Sequence, residues 1–260
     1  MHVRARVSAA ECVPPRHARR KAALRATILT MPSWNIHTAH VERLLSLETP
    51  DALGIRDVNA FLFGNLVPDV YVGYMVPDPT RKIDYRETHF ADPGYVPEPR
   101  YGEFFERWVA PYADADGRVT DVMLGAWTHL VADHVYNAHF NRLLDERGLK
   151  PGTEIRIRKQ SDFATFGRTL DISMVPEVTP ELIEQCAAFP QYAIVEQDVR
   201  AACEVMAGIV SDNVEHHVDA PEYSLLGGDY FNRVPDEVDT LMRDALHAYA
   251  AGDPTWGRQR

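Results

Sequence analysis

The stretch LGAWTHLVADHVYN, residues 124–137, decides the fold, because it combines an apolar helix with two polar residues on one helix face. His129 and Asp133 are four residues apart, which places them about 40° apart around a helix and one turn from each other. A buried carboxylate in such a position needs a cation or several donors to offset its lost solvation. Three neighbours on the same face are mostly apolar and indicate that the face points inward: Val122, Ala126 and Tyr136.

Helical spacing of apolar residues predicts an all-α fold around this stretch. The central helix is expected to open at Asp116-Gly117 and to end at Gly148, since glycine commonly follows a helix. Residues 154–158 allow a brief strand, and clear β-hairpin signals are absent. The other predicted helices cover residues 36–48, 55–67 (stopped by Pro68), 102–112, 160–170, 179–188, 195–217 and 234–251 (opened by Pro235).

A long segment from Pro77 to Arg100 interrupts these helices. Its five prolines exclude a regular helix or a central strand. Loops longer than about 15 residues inside a compact domain are usually functional or disordered. We therefore expect a single helical domain in which this Pro-rich loop contributes to a buried metal site.

The composition narrows the classes of function. The chain has 260 residues, 45% of them hydrophobic, and a formal net charge of −11, so it should repel nucleic acid and anionic membranes. We expect neither a nucleic-acid partner nor stable membrane insertion, and the oligomeric state is left open. Three scattered cysteines exclude a disulfide framework and a cysteine zinc site, which favours the cytoplasm.

Residues 1–30 differ in charge from the rest of the chain. They hold seven of the 27 Lys and Arg residues but one of the 38 acidic residues. An over-long gene start, a disordered basic tail and an Arg-rich transit peptide all fit this pattern. We expect the folded domain to cover residues 31–260, beginning at Met31.

Three further residues extend the candidate metal site. Pro68-Asp69 places a carboxylate after an apolar helix, His89 lies in the Pro-rich segment, and His37 opens the first helix. Imidazoles and carboxylates together suit Zn²⁺, Mn²⁺ or Fe²⁺, and two such ions about 3.5–4 Å apart suit phosphate-ester hydrolysis. Each residue also has an ordinary explanation: His37 as a helix histidine, Asp69 as a cap, His129 and Asp133 as a hydrogen-bonded pair.

Four motifs in order resemble the zinc-dependent phospholipase C family. They are WNIHTA (34–39), FLFGNLVPD (61–69), ETHF (87–90) and LGAWTHLVADHVYN (124–137), and the resemblance covers roughly residues 31–140. In this family an early His, an apolar helix ending in Pro-Asp, a loop His-Phe and a helical H-x-x-x-D follow one another. The same fold is shared by single-strand nucleases with a similar metal cluster.

The resemblance implies a role for each matched residue. Asp69 corresponds to a carboxylate beside the metals that has been considered as a general base, and Asp133 to a carboxylate that bridges two metals. The remaining implied ligands are His37, His89, His129 and His139, the last matching a ligand of a further metal in the secreted enzymes.

Departures from the family pattern reduce the expected number of metals. Trp34 lies only three residues before His37, whereas secreted members use the amine of a processed Trp about a dozen residues earlier. Thr153 and Ile157 occupy the positions of a His and a Glu ligand. His134 or residues 215–217 could replace them. We expect one or two zinc ions, up to three, with Mn²⁺ or Fe²⁺ as alternatives.

A basic segment follows the metal motifs. Its side chains could hold a substrate phosphate, because Arg binds phosphate in a bidentate manner, or could form an ordinary solvated and ion-paired surface. The residues concerned are Arg156, Arg158, Lys159 and Arg168, around residues 160–163.

The sequence thus predicts a metal-dependent hydrolase of phosphate esters, phospholipids among them, in which metal-activated water attacks phosphorus. One alternative is a metal-binding protein of the same fold without lipase activity. Another is a nucleotide or phosphomonoester hydrolase, although such enzymes use an adjacent His-Asp dyad and Asp133-His134 has the reverse order.

Overall fold

A computed structural model describes residues 34–259 of the chain, so the expectation for residues 1–30 lies outside the described residues. Over this range ten α-helices form, and the only β-pairing is one bridge between Ala91 and Pro99. The prediction of an all-α fold is confirmed. The helices are α1 (Trp34–Leu47), α2 (Val58–Gly64), α3 (Val67–Val70), α4 (Tyr85–Thr88), α5 (Tyr101–Phe104), α6 (Asp121–Glu146), α7 (Thr153–Gly167), α8 (Pro180–Ala187), α9 (Glu196–Glu215) and α10 (Gly227–Ala250).

The central helix α6 begins later than the sequence predicts. Thr120 caps it, because its side chain accepts a hydrogen bond from the amide of Met123 at 3.3 Å. Asp116-Gly117 instead belongs to a preceding turn, in which the Gly117 amide donates to the Asp114 carbonyl at 2.9 Å. The predicted end is confirmed, since Gly148 follows the helix with φ +60°.

Two prolines do not have the positions that the sequence suggests. The predicted helix 55–67 divides at Asn65 into α2 and α3, and Pro68 lies in the first turn of α3, where a missing amide hydrogen is tolerated. Pro235 lies inside α10, which begins eight residues earlier at Gly227. Val234 and Val238 beside it are buried, and this packing offsets the hydrogen bond that the proline cannot donate.

Residues 154–158 are helical, which corrects the possible strand. They belong to α7, and the Arg156 amide donates to the Gly152 carbonyl at 3.0 Å. Ile155 is buried while Ile157 is 55% exposed. The buried residues Ile155, Lys159 and Phe163 recur at intervals of four, the spacing of one helix face.

The segment from Pro77 to Arg100 is not one uninterrupted loop, which corrects that expectation. It contains the single-turn helix α4, whose preceding residue Asp84 accepts a hydrogen bond from the Arg86 amide at 2.9 Å. His89 follows α4 directly, so a short ordered turn places this histidine. None of the described helices is long and apolar enough to cross a bilayer.

Helices α2 and α6 touch through their backbones at two glycines. A Cβ added to Gly125 would lie 2.2 Å from the Phe61 carbonyl oxygen, and one added to Gly64 would lie 2.4 Å from the Val122 carbonyl oxygen. No side chain fits at either position. The crossing brings Asn65, the residue after α2, against the middle of α6, where its carbonyl meets His129.

Replacing Gly125 by Ala should lower the free energy of unfolding by about 3 kcal/mol, because the new methyl group must push two helix backbones apart. Gly228→Ala is the matched control, since a Cβ there meets nothing within 4 Å. We expect it to change stability by less than about 1 kcal/mol. Urea denaturation measures both, and equal stabilities of the two variants would contradict the close contact.

Candidate metal centre

Five of the six residues predicted to bind metal come together in the core. His37 lies on α1, Asp69 on α3, His89 after α4, and His129 and Asp133 on α6. All five are buried, with at most 5% of any residue exposed. They form two overlapping groups, one of His37, His129 and Asp133 and the other of Asp69, His89 and His129, each with ligand atoms within 4.8 Å. These groups could hold a metal ion.

Three of these side chains have the spacing of ligands around one ion, and a fourth lies close to one of them. His89 Nε2 lies 3.2 Å from His129 Nε2, 3.5 Å from Asp133 Oδ2 and 3.6 Å from Asp69 Oδ1. His129 Nε2 lies 3.8 Å from Asp133 Oδ2. A tetrahedral zinc ion with bonds of 2.0–2.1 Å separates its ligands by about 3.4 Å. The ligand atoms of His89, His129 and Asp133 therefore fit one face of a zinc tetrahedron, and Asp69 Oδ1 lies beside them.

The hydrogen bonds of two histidines prepare them as ligands. His129 Nδ1 donates to the Asn65 carbonyl at 2.7 Å, and His89 Nδ1 lies 2.8 Å from Thr88 Oγ1 and 3.2 Å from the Tyr85 carbonyl. Because a carbonyl only accepts, the hydrogen of the neutral His129 ring lies on Nδ1 and its lone pair on Nε2. This lone pair lies 3.2 Å from His89 Nε2, so a cation between the two rings could be bound by both nitrogen atoms.

His37 and Asp133 contribute buried polar atoms without hydrogen-bond partners among the described residues. These atoms are both ring nitrogens of His37 and Oδ1 of Asp133. His37 Nε2 lies 3.4 Å from Asp133 Oδ1, close enough for attraction, and the His37 ring stacks on His129 with centroids 3.8 Å apart. Since unpartnered buried polar atoms are costly, the chemistry of this donor set fits a cation.

The buried environment shifts the pKa of four cluster residues. Burial lowers the pKa of His89 to about 4 and that of His129 well below its ordinary value, so both rings are neutral at pH 7. Burial would raise the pKa of Asp133, but His37, His129 and His89 hold it below its ordinary value. Burial and then the charge of Asp133 raise the pKa of Asp69 well above its ordinary value. The surroundings therefore favour the protonated form of Asp69 and the ionised form of Asp133.

His139 does not join this cluster. Its Nε2 lies 2.8 Å from Glu237 Oε2 on α10, and it belongs to neither group of potential ligands. The suggested replacements also lie elsewhere in the described part of the chain. His134 Nδ1 donates to the Pro99 carbonyl at 2.9 Å, and His216 Nδ1 lies 3.1 Å from Asp212 Oδ1.

The four basic residues that were predicted to hold a substrate phosphate contact different partners. Lys159 is buried and donates to Asn137 Oδ1 at 2.8 Å, with its ammonium 4.7 Å from the Phe140 ring centroid. The three arginines bind other partners: Arg156 binds Gln160, Arg158 the Ser224 carbonyl, and Arg168 Asp212. Arg168 thus fits the ion-paired alternative, whereas the buried Lys159 is not part of a solvated surface.

Sequence reasoning missed two residues that position the cluster. Asn65 acts through its backbone carbonyl, which a sequence pattern does not reveal. Tyr85 donates from its hydroxyl to Asp133 Oδ2 at 2.9 Å and stacks on His89. Its position four residues before His89 is a helical spacing, but the prolines around it argued against a helix.

We compared the chain with protein-family models, curated proteins and solved structures, and none of the three comparisons found a match. The resemblance to zinc-dependent phospholipases C therefore stays a prediction that rests on the four sequence motifs.

The chelator-treated protein should lose stability as the pH falls from about 7 to about 5. Burial lowers the pKa of His40, His89 and His129 from 6.5, so the unfolded chain takes up protons that the folded chain does not. Each histidine contributes stability that is present above pH 6.5 and is lost as the pH falls toward its folded pKa. Asp69 has the opposite effect, because its raised pKa favours the folded state at low pH, but three histidines outweigh it. A urea midpoint that rises on acidification would contradict this expectation.

Proposed function

We propose that this protein is a metal-dependent hydrolase of phosphate esters. The observation that carries the proposal is the buried cluster of Asp69, His89, His129 and Asp133. Ligand atoms of the last three lie 3.2–3.8 Å from one another, as around one tetrahedral ion, and Asp69 Oδ1 lies 3.6 Å from His89 Nε2. His37 and the second oxygen of Asp133 extend this set. The resemblance of the four sequence motifs to phospholipases C supports phosphate esters as the substrate class.

The donor set favours zinc as the resident ion. Three imidazoles and two carboxylates form a mixed nitrogen and oxygen set that suits Zn²⁺, with Mn²⁺ and Fe²⁺ as alternatives. We propose that His89, His129 and Asp133 Oδ2 would hold the first ion, with the Asp69 carboxylate beside it. His37 and Asp133 Oδ1 would hold a second ion, so both oxygens of Asp133 would serve as ligands.

The two carboxylates have different roles in this proposal. A bound divalent cation would act as a Lewis acid toward phosphoryl oxygens and would lower the pKa of water toward neutrality. Asp133 is a poor base, because its neighbouring histidines hold its pKa below the ordinary value. Asp69 has a raised pKa, as a general base working near neutral pH requires. We therefore assign Asp69 to orient the attacking water or to accept its proton.

Two expectations from the sequence stay predictions. The cytoplasm is the expected compartment because the cysteines are few, and among the described residues Cys186 and Cys203 are free and buried. Phospholipids are one possible class among phosphate esters, and the acidic net charge of −11 argues against nucleic acid. A protein that binds metal and hydrolyses no ester would fit the non-catalytic alternative.

His129→Ala and Asp133→Ala should each remove bound metal and lower the melting temperature. A ligand at about 100 times its Kd stabilises the folded state by about 2.7 kcal/mol, and this contribution would disappear. His247→Ala is the control, since this histidine is about half exposed and pairs with Glu48 on the surface. Elemental analysis and thermal melts, with and without chelator, provide the measurement. Full metal content in both variants would place the site elsewhere.

Asp69→Asn should lower kcat about 10²- to 10⁴-fold while most of the metal stays bound by the other ligands. The substitution preserves shape but removes the negative charge. Hydrolysis of bis(p-nitrophenyl) phosphate is measured together with metal content, and Asp171→Asn on the exposed surface controls for a lost charge. A fully active Asp69→Asn protein would exclude Asp69 from the reaction, and one without metal would make it a ligand rather than a base.

A further inference from the structure

Tyr85 contacts two of the potential metal ligands at once. Its hydroxyl donates to Asp133 Oδ2 at 2.9 Å, and its ring lies on His89 with centroids 3.7 Å apart and planes inclined by 17°. The sequence motifs assign no role to this residue. A charge-assisted hydrogen bond to a buried carboxylate is stronger than an ordinary one, so Tyr85 restrains Asp133.

The restraint matters because the two oxygens of Asp133 face different partners. Oδ2 lies 3.5 Å from His89 Nε2 and 3.8 Å from His129 Nε2, while Oδ1 lies 3.4 Å from His37 Nε2. Rotation of the carboxylate about its Cβ–Cγ bond would exchange or merge these two contacts. Tyr85 holds Oδ2 on the side of His89, which leaves Oδ1 directed at His37.

Tyr85 is itself fixed by the turn that carries His89. The Tyr85 carbonyl accepts hydrogen bonds from the His89 amide at 2.9 Å and from Thr88 Oγ1 at 3.1 Å. Asp84 caps the same turn through the Arg86 amide. The phenol and the imidazole therefore belong to one rigid unit, and removal of the hydroxyl should leave the ring on His89.

We propose that Tyr85 is a positioning residue that sets the bridging orientation of Asp133 and thereby selects for binding of a second cation. This inference rests on the proposed metal centre. Without the hydroxyl, both oxygens of Asp133 can turn toward the first ion. The second ion would then keep His37 but lose the carboxylate of Asp133, whereas the first ion would retain His89, His129 and Asp133.

The test is a Zn²⁺ titration of chelator-treated full-length protein by calorimetry with a competing chelator. In Tyr85→Phe, the second ion should bind about 10- to 100-fold more weakly, the range typical for loss of an outer-shell partner, and the first ion nearly as in the parent. Tyr230→Phe is the matched control. It removes a buried hydroxyl that donates to the Tyr136 carbonyl at 2.7 Å, and it should bind both ions as the parent does.

A second variant separates the hydroxyl from the ring. Tyr85→Leu removes both, so it should weaken the second ion as Tyr85→Phe does and should also weaken the first, because His89 loses its stacking partner. Melts of the metal-free proteins define a temperature at which every variant is folded, and all titrations are run below it.

Any other result would contradict either the role of Tyr85 or the proposed metal centre. A Tyr85→Phe protein with unchanged affinities, or with both ions weakened equally, would overturn the assigned role of Tyr85 while leaving the metal centre in place. A parent protein that binds a single ion would also overturn it. A parent protein that binds no ion would instead refute the proposed function.

Discussion

The contact on which the rest of this structure depends is the crossing of α2 and α6 at Gly64 and Gly125. Each glycine occupies the space in which a Cβ would meet the other helix's backbone, at 2.4 and 2.2 Å from a carbonyl oxygen. The close approach has a chemical consequence, because it lets the carbonyl of Asn65 accept a hydrogen bond from His129 at 2.7 Å. Helix packing thus fixes the tautomer of a buried histidine, directing its lone pair toward the cluster.

The other cluster residues take their positions from the same crossing. The chain leaves α2 at Asn65 and enters α3 within two residues, which carries Asp69 back toward α6. On the opposite side α1 places the ring of His37 flat against His129, and the turn after α4 presents His89 at 3.2 Å. Sites built on packed helices hold ligand geometry more firmly than sites built on loops, and four of these five residues lie within helices.

Local sequence patterns identified the all-α fold and five clustered residues, because helical periodicity and the spacing of His129 and Asp133 are encoded within a few residues. The features that the sequence did not predict depend on contacts between residues that are distant in the chain. His139 has the same sequence distance from His129 as a family ligand, yet its partner is Glu237 of α10, almost a hundred residues later. The prolines near Tyr85 predicted that no helix forms there, but the single turn of α4 fits between them. The role of the Asn65 backbone carbonyl could not be predicted from the sequence, because every residue type has this group.

Two carboxylates in one buried cluster acquire opposite properties from their surroundings. Asp133 is contacted by His37, His89 and His129 and by the Tyr85 hydroxyl, which stabilise its charge. Asp69 has the neighbouring charge of Asp133 and little to compensate its burial, which raises its pKa. Burial and the charge of Asp133 thus favour the protonated form of Asp69, whereas the neighbours of Asp133 favour its ionised form. A divalent cation held by the cluster would favour the ionised form of Asp69, which can accept a proton. The environment of the two side chains, rather than their identity, thus supports assigning Asp133 to hold the proposed ions and Asp69 to handle a proton.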